Sequence, residues 1–221
     1  MNKYLRQTLI VIQNFSLFIS AILGIIFYNC FNLNFYKNFY LRENLAPSIN
    51  TTDDELINNT TNLLEYLTNK AELNTTWFSE KDILHMKDVR VLYNVSFNLM
   101  IFFIIIFILS TILIALVYKN YAMFYITKTF NKTLLAFILL VIVLAGIISY
   151  NFTSFWIKFH QLLFANDLWL LSPEESNLIK MVPEQFFISL ITTIILHILI
   201  LFVSLLVVNN IFKKKFKIIS T

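Results

Sequence analysis

The sequence predicts an all-α membrane protein: four transmembrane helices, both termini on the cytoplasmic side, and a small, mainly helical extracellular cap. Three observations carry that expectation. First, 58% of the 221 residues are hydrophobic and the mean hydropathy is +0.71, against about 45–50% apolar content in a soluble domain. Second, the excess is gathered into four runs, 9–28, 97–118, 133–150 and 186–208. About 20 apolar residues in a helix cross about 30 Å of hydrocarbon, and only a helix satisfies a single chain's backbone there. Third, charge is unevenly shared. The amino terminus, the stretch 119–132 and the tail hold nine basic residues and no acidic ones, whereas 29–96 and 151–185 together hold eight basic and thirteen acidic ones. Basic, acid-free segments stay in the cytoplasm.

Along the chain, residues 1–28 hold a short cytoplasmic start, with Lys3 and Arg6, and the first span. The apolar stretch is longer than a signal-peptide core and no small-residue cleavage site closes it, so it is read as a retained helix. Residues 29–96 form the first outer segment, too short for a comfortable core of its own. Thr51 and Thr52 before Asp53–Glu55 signal a helix start, and Leu56, Leu63, Leu64 and Leu67 follow at near-helical spacing. Ser79 with Asp82 three residues on is a capping box, opening a helix that carries His85 and runs into the second span, 97–118. A basic cytoplasmic loop, 119–132, leads to the third span, 133–150. The second outer segment, 151–185, opens with Phe152, Phe155, Trp156 and Phe159, one aromatic face suited to the headgroup boundary. Pro183 suits the first turn of the fourth span, 186–208, and 209–221 is a basic tail.

Several function classes drop out. A lone cysteine, Cys30, excludes an internal disulfide, a cysteine metal cluster and a CxxC redox motif. Asn29 before it does not suit a lipid-attachment site, so Cys30 is read as a small hydrophobe. No glycine-rich phosphate loop, nucleic-acid motif or internal repeat is present. No cofactor, metal or nucleic-acid partner is expected.

The chemistry rests on three histidines. His197 lies midway along the fourth run with no acidic residue in any run to relay protons, and is read as a neutral side chain hydrogen-bonded within the bundle. His85 and His160 lie one in each outer segment. Asp88, three residues after His85, shares its helical face and could fix the imidazole tautomer, with Glu80, Lys87 and Arg90 around it. A solvated interfacial helix explains 80–90 equally well. His160 sits in an aromatic stretch before Asn166, Asp167 and Trp169, which an interfacial belt also explains. On spacing alone, an enzyme and a non-enzymatic adaptor docking a protein on its acidic cap stand level. A metal-dependent hydrolase is disfavoured, since the histidines fit no zinc spacing.

Two segments break that tie. Phe78-Ser79-Glu80-Lys81-Asp82-Ile83-Leu84-His85-Met86-Lys87-Asp88-Val89 and the stretch from Phe159-His160-Gln161 through Asn166-Asp167-Leu168-Trp169 to Pro183-Glu184-Gln185-Phe186-Phe187 resemble the signature stretches of the lipoprotein intramolecular transacylase (Lit) family. Leu63-Leu64-Glu65-Tyr66-Leu67 is similar to a third, weaker one. These are small four-helix membrane proteins of Gram-positive bacteria. The resemblance implies a lipoprotein substrate whose free amino-terminal cysteine bears an S-diacylglyceryl group. It implies transfer of the sn-2 acyl chain to that cysteine's α-amino group, giving the lyso-form lipoprotein. It further implies that His85 and His160 are catalytic; Asp88, Glu80, Arg90, Asn166, Asp167 and Trp169 are expected to support them, at the outer face of the cell membrane among its lipids.

Imidazole suits ester aminolysis. An α-amino group with a pKa of about 8 must shed its proton to attack, and the leaving glycerol oxygen must gain one. The expected arrangement makes His85, oriented by Asp88, the base and His160 the acid or oxyanion donor; the two roles can be exchanged.

Overall fold

The computed structural model describes residues 3–219. The side chains of Lys3, Arg6, Lys215 and Lys217, counted above in the charge asymmetry, lie outside what is described. Every regular element among the described residues is helical. Four helices are long: α1 (Lys3–Cys30), α5 (Glu80–Tyr118), α6 (Ala122–Tyr150) and α9 (Glu184–Ile219). Between them lie α2 (Leu33–Glu43), α3 (Leu45–Ser48), α4 (Asp53–Leu67), α7 (Phe152–Leu163) and α8 (Asn177–Met181). Three stretches are long and apolar enough to cross a membrane, Gln7–Cys30, Glu80–Tyr150 and Glu184–Lys214. The middle one contains two helices, α5 and α6, parted by a 3₁₀ turn at Lys119–Tyr121 in which Lys119 takes a left-handed backbone, φ 48°.

The chain forms two compact units. One comprises the chain up to Ile26, Phe97–Ile147 and the chain from Ile194. Its core is phenylalanine packed edge to face. Phe18, fully buried, meets Phe130, Phe137 and Phe202 with ring centroids 5.2, 5.3 and 5.6 Å away. Phe15 touches both Phe103 of α5 and Phe137 of α6, so the chain doubles back between those helices. Asn209 on α9 donates to the Thr127 carbonyl and the Asn131 side chain of α6. A buried amide satisfied between helices in this way is what an apolar surrounding demands.

The other unit comprises Phe27–Ser96 and Ile148–Thr193. Local signals set its helices. Asn32 caps α2 by accepting from the Asn34 amide, and Asn44 ends it in the left-handed region, φ 49°, which asparagine tolerates. Thr52 caps α4 by accepting from the Glu55 amide at 3.2 Å, and Asp53, Asp54 and Glu55 favour the positive end of the helix dipole. The stretch Phe27–Ser96 does not close its own core. Phe186, at the start of α9, packs against Tyr36, Phe39 and Phe35. Tyr40 shares a 2.8 Å hydrogen bond with Thr60, whose hydroxyl also meets the Met181 sulfur. Leu56 and Leu63 are buried as their spacing requires.

Candidate active site

The site lies wholly within the second unit and is built where α5 begins. Ser79 and Asp82 form the expected capping box: the Ser79 amide donates to Asp82 Oδ2 and the Asp82 amide to Ser79 Oγ. Asp82 does more than cap. It is fully buried, accepts from the Ser176 hydroxyl through its other oxygen, and receives a long 3.5 Å contact from the Leu178 amide. Asn177 donates to the Trp77 carbonyl beside it. The start of α5 is therefore bound to the turn that leads into α8. His85 stands one turn further on, 7% exposed.

Helix α7 brings the second imidazole. Asn151 caps it by accepting from the Ser154 amide. Phe152, Trp156 and Phe159 stack along one side, and Trp156 packs on Phe187 of α9 at 4.4 Å. His160, also 7% exposed, comes to 6.1 Å from the His85 ring, centroid to centroid. Phe164 touches both rings, at 5.3 and 5.7 Å. Trp169 lies over His160 at 5.0 Å with planes 29° apart.

Burial keeps both imidazoles neutral at neutral pH. Burial and, next, the neighbouring His160 push His85 down to about 4, against the partly opposing charges of Asp88 and Asp82. His160 is lowered by burial and partly held up by its hydrogen bond to the Trp156 carbonyl. That bond also fixes the tautomer. His160 Nδ1 lies 2.8 Å from the Trp156 oxygen; a carbonyl can only accept, so Nδ1 carries the hydrogen and Nε2 the lone pair. His85 Nδ1 is buried with no hydrogen-bond partner in the protein, at a cost of about 1–3 kcal/mol. A buried polar atom of that kind beside a fixed lone pair suits a polar reactant between the rings.

The other expected site residues fall around this pair. Asp88 accepts from Asn166 Nδ2 at 2.9 Å; among the described residues no hydrogen bond joins it to His85, so the tautomer-fixing role expected of it is met instead by a backbone oxygen at the other histidine. Arg90 lies over the Tyr66 ring at 4.1 Å, a cation–π contact that steadies α4. Glu80 is exposed at the first turn of α5. Asp167 is exposed, and its carbonyl accepts from the Leu170 amide. His197 belongs to the other unit and faces the exposed side of α9. Among the described residues no group of three or more His, Cys, Asp or Glu is placed to hold a metal. Sequence reasoning missed Ser176 and the Trp156 carbonyl. The first is remote from Asp82 in sequence and the second has no side-chain signal.

Comparison with known proteins gives this site a family. The model of the family described as lipoprotein intramolecular transacylase Lit matches residues 11–187. Among solved structures, the membrane-integral lipoprotein intramolecular transacylase Lit from Bacillus cereus superposes with a TM-score of 0.83 at 22% identity, covering 98% of this chain and 100% of that one. Two further structures of the Bacillus cereus protein, carrying a histidine-to-arginine and a histidine-to-alanine mutation, give TM-scores of 0.78 each at 22% and 21% identity. They cover 99% and 97% of this chain and 96% of theirs. At such identity the structures establish the fold. No curated protein matches the chain. The family match spans most of the sequence, and the apolar helices accord with it: the chain belongs to the lipoprotein intramolecular transacylase family and is a multi-pass membrane acyltransferase.

Proposed function

We propose that the chain moves the sn-2 acyl chain of an S-diacylglyceryl-cysteine lipoprotein to the α-amino group of the same cysteine, at the extracellular face of the cell membrane. The observation that carries this reading is the pair of buried imidazoles 6.1 Å apart, one of them with its lone pair fixed. The geometry favours exchanging the roles expected from sequence. His160 Nε2 accepts the proton that the amine loses as it attacks the ester carbon. A tetrahedral intermediate forms, and the N–H of neutral His85 donates to its oxyanion, as a neutral imidazole can in a site that depresses its pKa. The C–O bond to glycerol then breaks, and the His160 imidazolium returns its proton to the departing oxygen. One C–N bond forms, one C–O bond breaks, and no proton is gained or lost overall. Amine and ester share one molecule, so orientation supplies much of the rate, with effective molarities of about 10⁵ M or more in well-aligned cases.

The topology that accompanies this reading has four spans, at 9–28, 97–118, 133–150 and 186–208. Segments 29–96 and 151–185 lie outside, and 119–132 and the tail inside. The charge asymmetry supports it, as does the doubling back of α5 onto α6. A carboxyl-terminal reporter should be active only as a cytoplasmic fusion; an exported signal would reverse the topology.

The reaction is tested with the purified protein in lipid and a synthetic diacylated lipopeptide. Product and substrate are isomers, so total mass stays constant. Tandem mass spectrometry should locate one acyl chain on nitrogen, and the terminus should stop reacting with amine reagents. An unmodified terminus would return the adaptor reading. Because both imidazoles stay neutral below their usual range, the rate should follow the substrate amine. It should rise roughly tenfold per pH unit and level near about pH 8. A limb centred on the ordinary histidine pKa would mean that ring protonation governs the rate, against this assignment.

A further inference from the structure

Lys81, His85 and Asp88 lie at i, i+4 and i+7 of α5, one face of the helix. The two outer members of that row grip the same short segment. Lys81 Nζ donates to the Leu170 carbonyl, and Asp88 Oδ2 accepts from Asn166 Nδ2. The segment is a built turn: Asn166 Oδ1 accepts from the Leu168 amide, the Leu170 amide bonds back to Asp167, and the Leu171 amide bonds to Trp169. What the turn presents is Trp169, stacked on the His160 ring.

We propose that Asp88 and Lys81 are positioning residues for His160, acting at a distance by pinning the 166–170 turn to α5 so that Trp169 holds the imidazole plane. This rests on the proposed catalytic role of His160 and adds residues to it. Asp88 then serves the histidine of the other segment through Asn166, and its negative charge beside His85 is incidental. The indole confines rotation about the Cβ–ring bond while the Trp156 carbonyl holds Nδ1, so the Nε2 lone pair keeps one direction. An aromatic face also favours the imidazolium that forms transiently on the same ring. The arrangement accounts for the separation of His160, Asn166 and Trp169 in the sequence: the asparagine binds the partner helix and the tryptophan three residues later reaches the ring.

The test separates hydrogen bonding from charge. Asp88→Ala should lower kcat about tenfold or more, the worth of a charge-assisted hydrogen bond. Asp88→Asn, whose amide oxygen still accepts from Asn166, should stay within about threefold of wild type. Asn166→Asp sets two carboxylates against each other and should lose about tenfold or more. The exchanged pair Asp88→Asn with Asn166→Asp restores one donor and one acceptor and should recover. Trp169→Phe should retain more rate than Trp169→Leu. If Asp88→Asn is as slow as Asp88→Ala, the charge acts directly on His85 and the proposal fails; it fails equally if the exchanged pair does not recover.

A second readout needs no turnover. A protonated imidazole quenches an indole stacked on it, so the part of the fluorescence missing in Trp169→Phe should report acid quenching by His160. That quenching should be lost in Asp88→Ala and Asn166→Asp and return in the exchanged pair. Fluorescence that follows this pattern while transfer stays unchanged in every variant would overturn the positioning role alone. Full transfer by His160→Ala would instead remove the catalytic reading beneath it.

Discussion

His160→Ala is expected to lower acyl transfer by about 10²–10⁴-fold, the usual worth of a positioned general base. His85 does not take its place, because its Nδ1 lacks a partner to fix a tautomer, whereas the Trp156 carbonyl sets the lone pair of His160. His85→Ala should cost about 10²–10³-fold, as for loss of one oxyanion donor. His85→Gln, which keeps an N–H at similar reach, should recover part of that loss. His197→Ala, on α9 in the other unit, should stay within about twofold, since no step of the proposed transfer runs through it. The fraction of lipopeptide acylated on nitrogen measures all four. Wild-type transfer by either outer-segment variant would take that histidine out of the mechanism.

The second large effect is expected at a residue outside the reaction. Asp82 is fully buried and gathers the Ser79 amide, the Ser176 hydroxyl and the Leu178 amide. Asp82→Ala leaves these donors without their acceptor and removes the cap of α5. The cost should be about 3–5 kcal/mol, the range for stranding buried polar partners of a charge. In a chain of this size that is roughly 10 °C of unfolding temperature, readable by thermal denaturation in detergent. Transfer should fall with it, because His85 follows one turn later on the same helix. Ser176→Ala should be milder, about 1–3 kcal/mol, because Asp82 keeps its two amides. A Ser176 variant as damaged as Asp82→Ala would mean that the hydroxyl, and not the carboxylate, organises this corner.

The parts of the fold that could be read from sequence are those set by near neighbours. Four apolar runs and two capping patterns gave the long helices and the starts of α4 and α5, because a cap is written within three residues. Helix α2 escaped, since its buried face is aromatic and completed by Phe186, far along the chain, and α3 is a single turn that buries only Leu45 and Ala46. Composition does not say which of the 23 phenylalanines matter; Phe18, Phe130, Phe137 and Phe202 make the bundle core. At the site, motif resemblance pointed to His85 and His160, but spacing could not say which groups serve them. Asp88 shares a helical face with His85 and still bonds elsewhere, because helix periodicity is silent about what approaches from outside. Asp82 looked like a local cap because its distant partner, Ser176, leaves no mark near it in the sequence.

Helix α5 carries neither proline nor glycine between Glu80 and Tyr118, the usual sources of a kink. His85 lies three residues past Asp82 on this helix, a rise of about 4.5 Å along the axis. The anchored carboxylate and the imidazole therefore share one stiff turn. Any tug on the Ser176 hydroxyl is passed to the ring undamped, which makes that corner a lever on the chemistry as well as a splice between two stretches of chain.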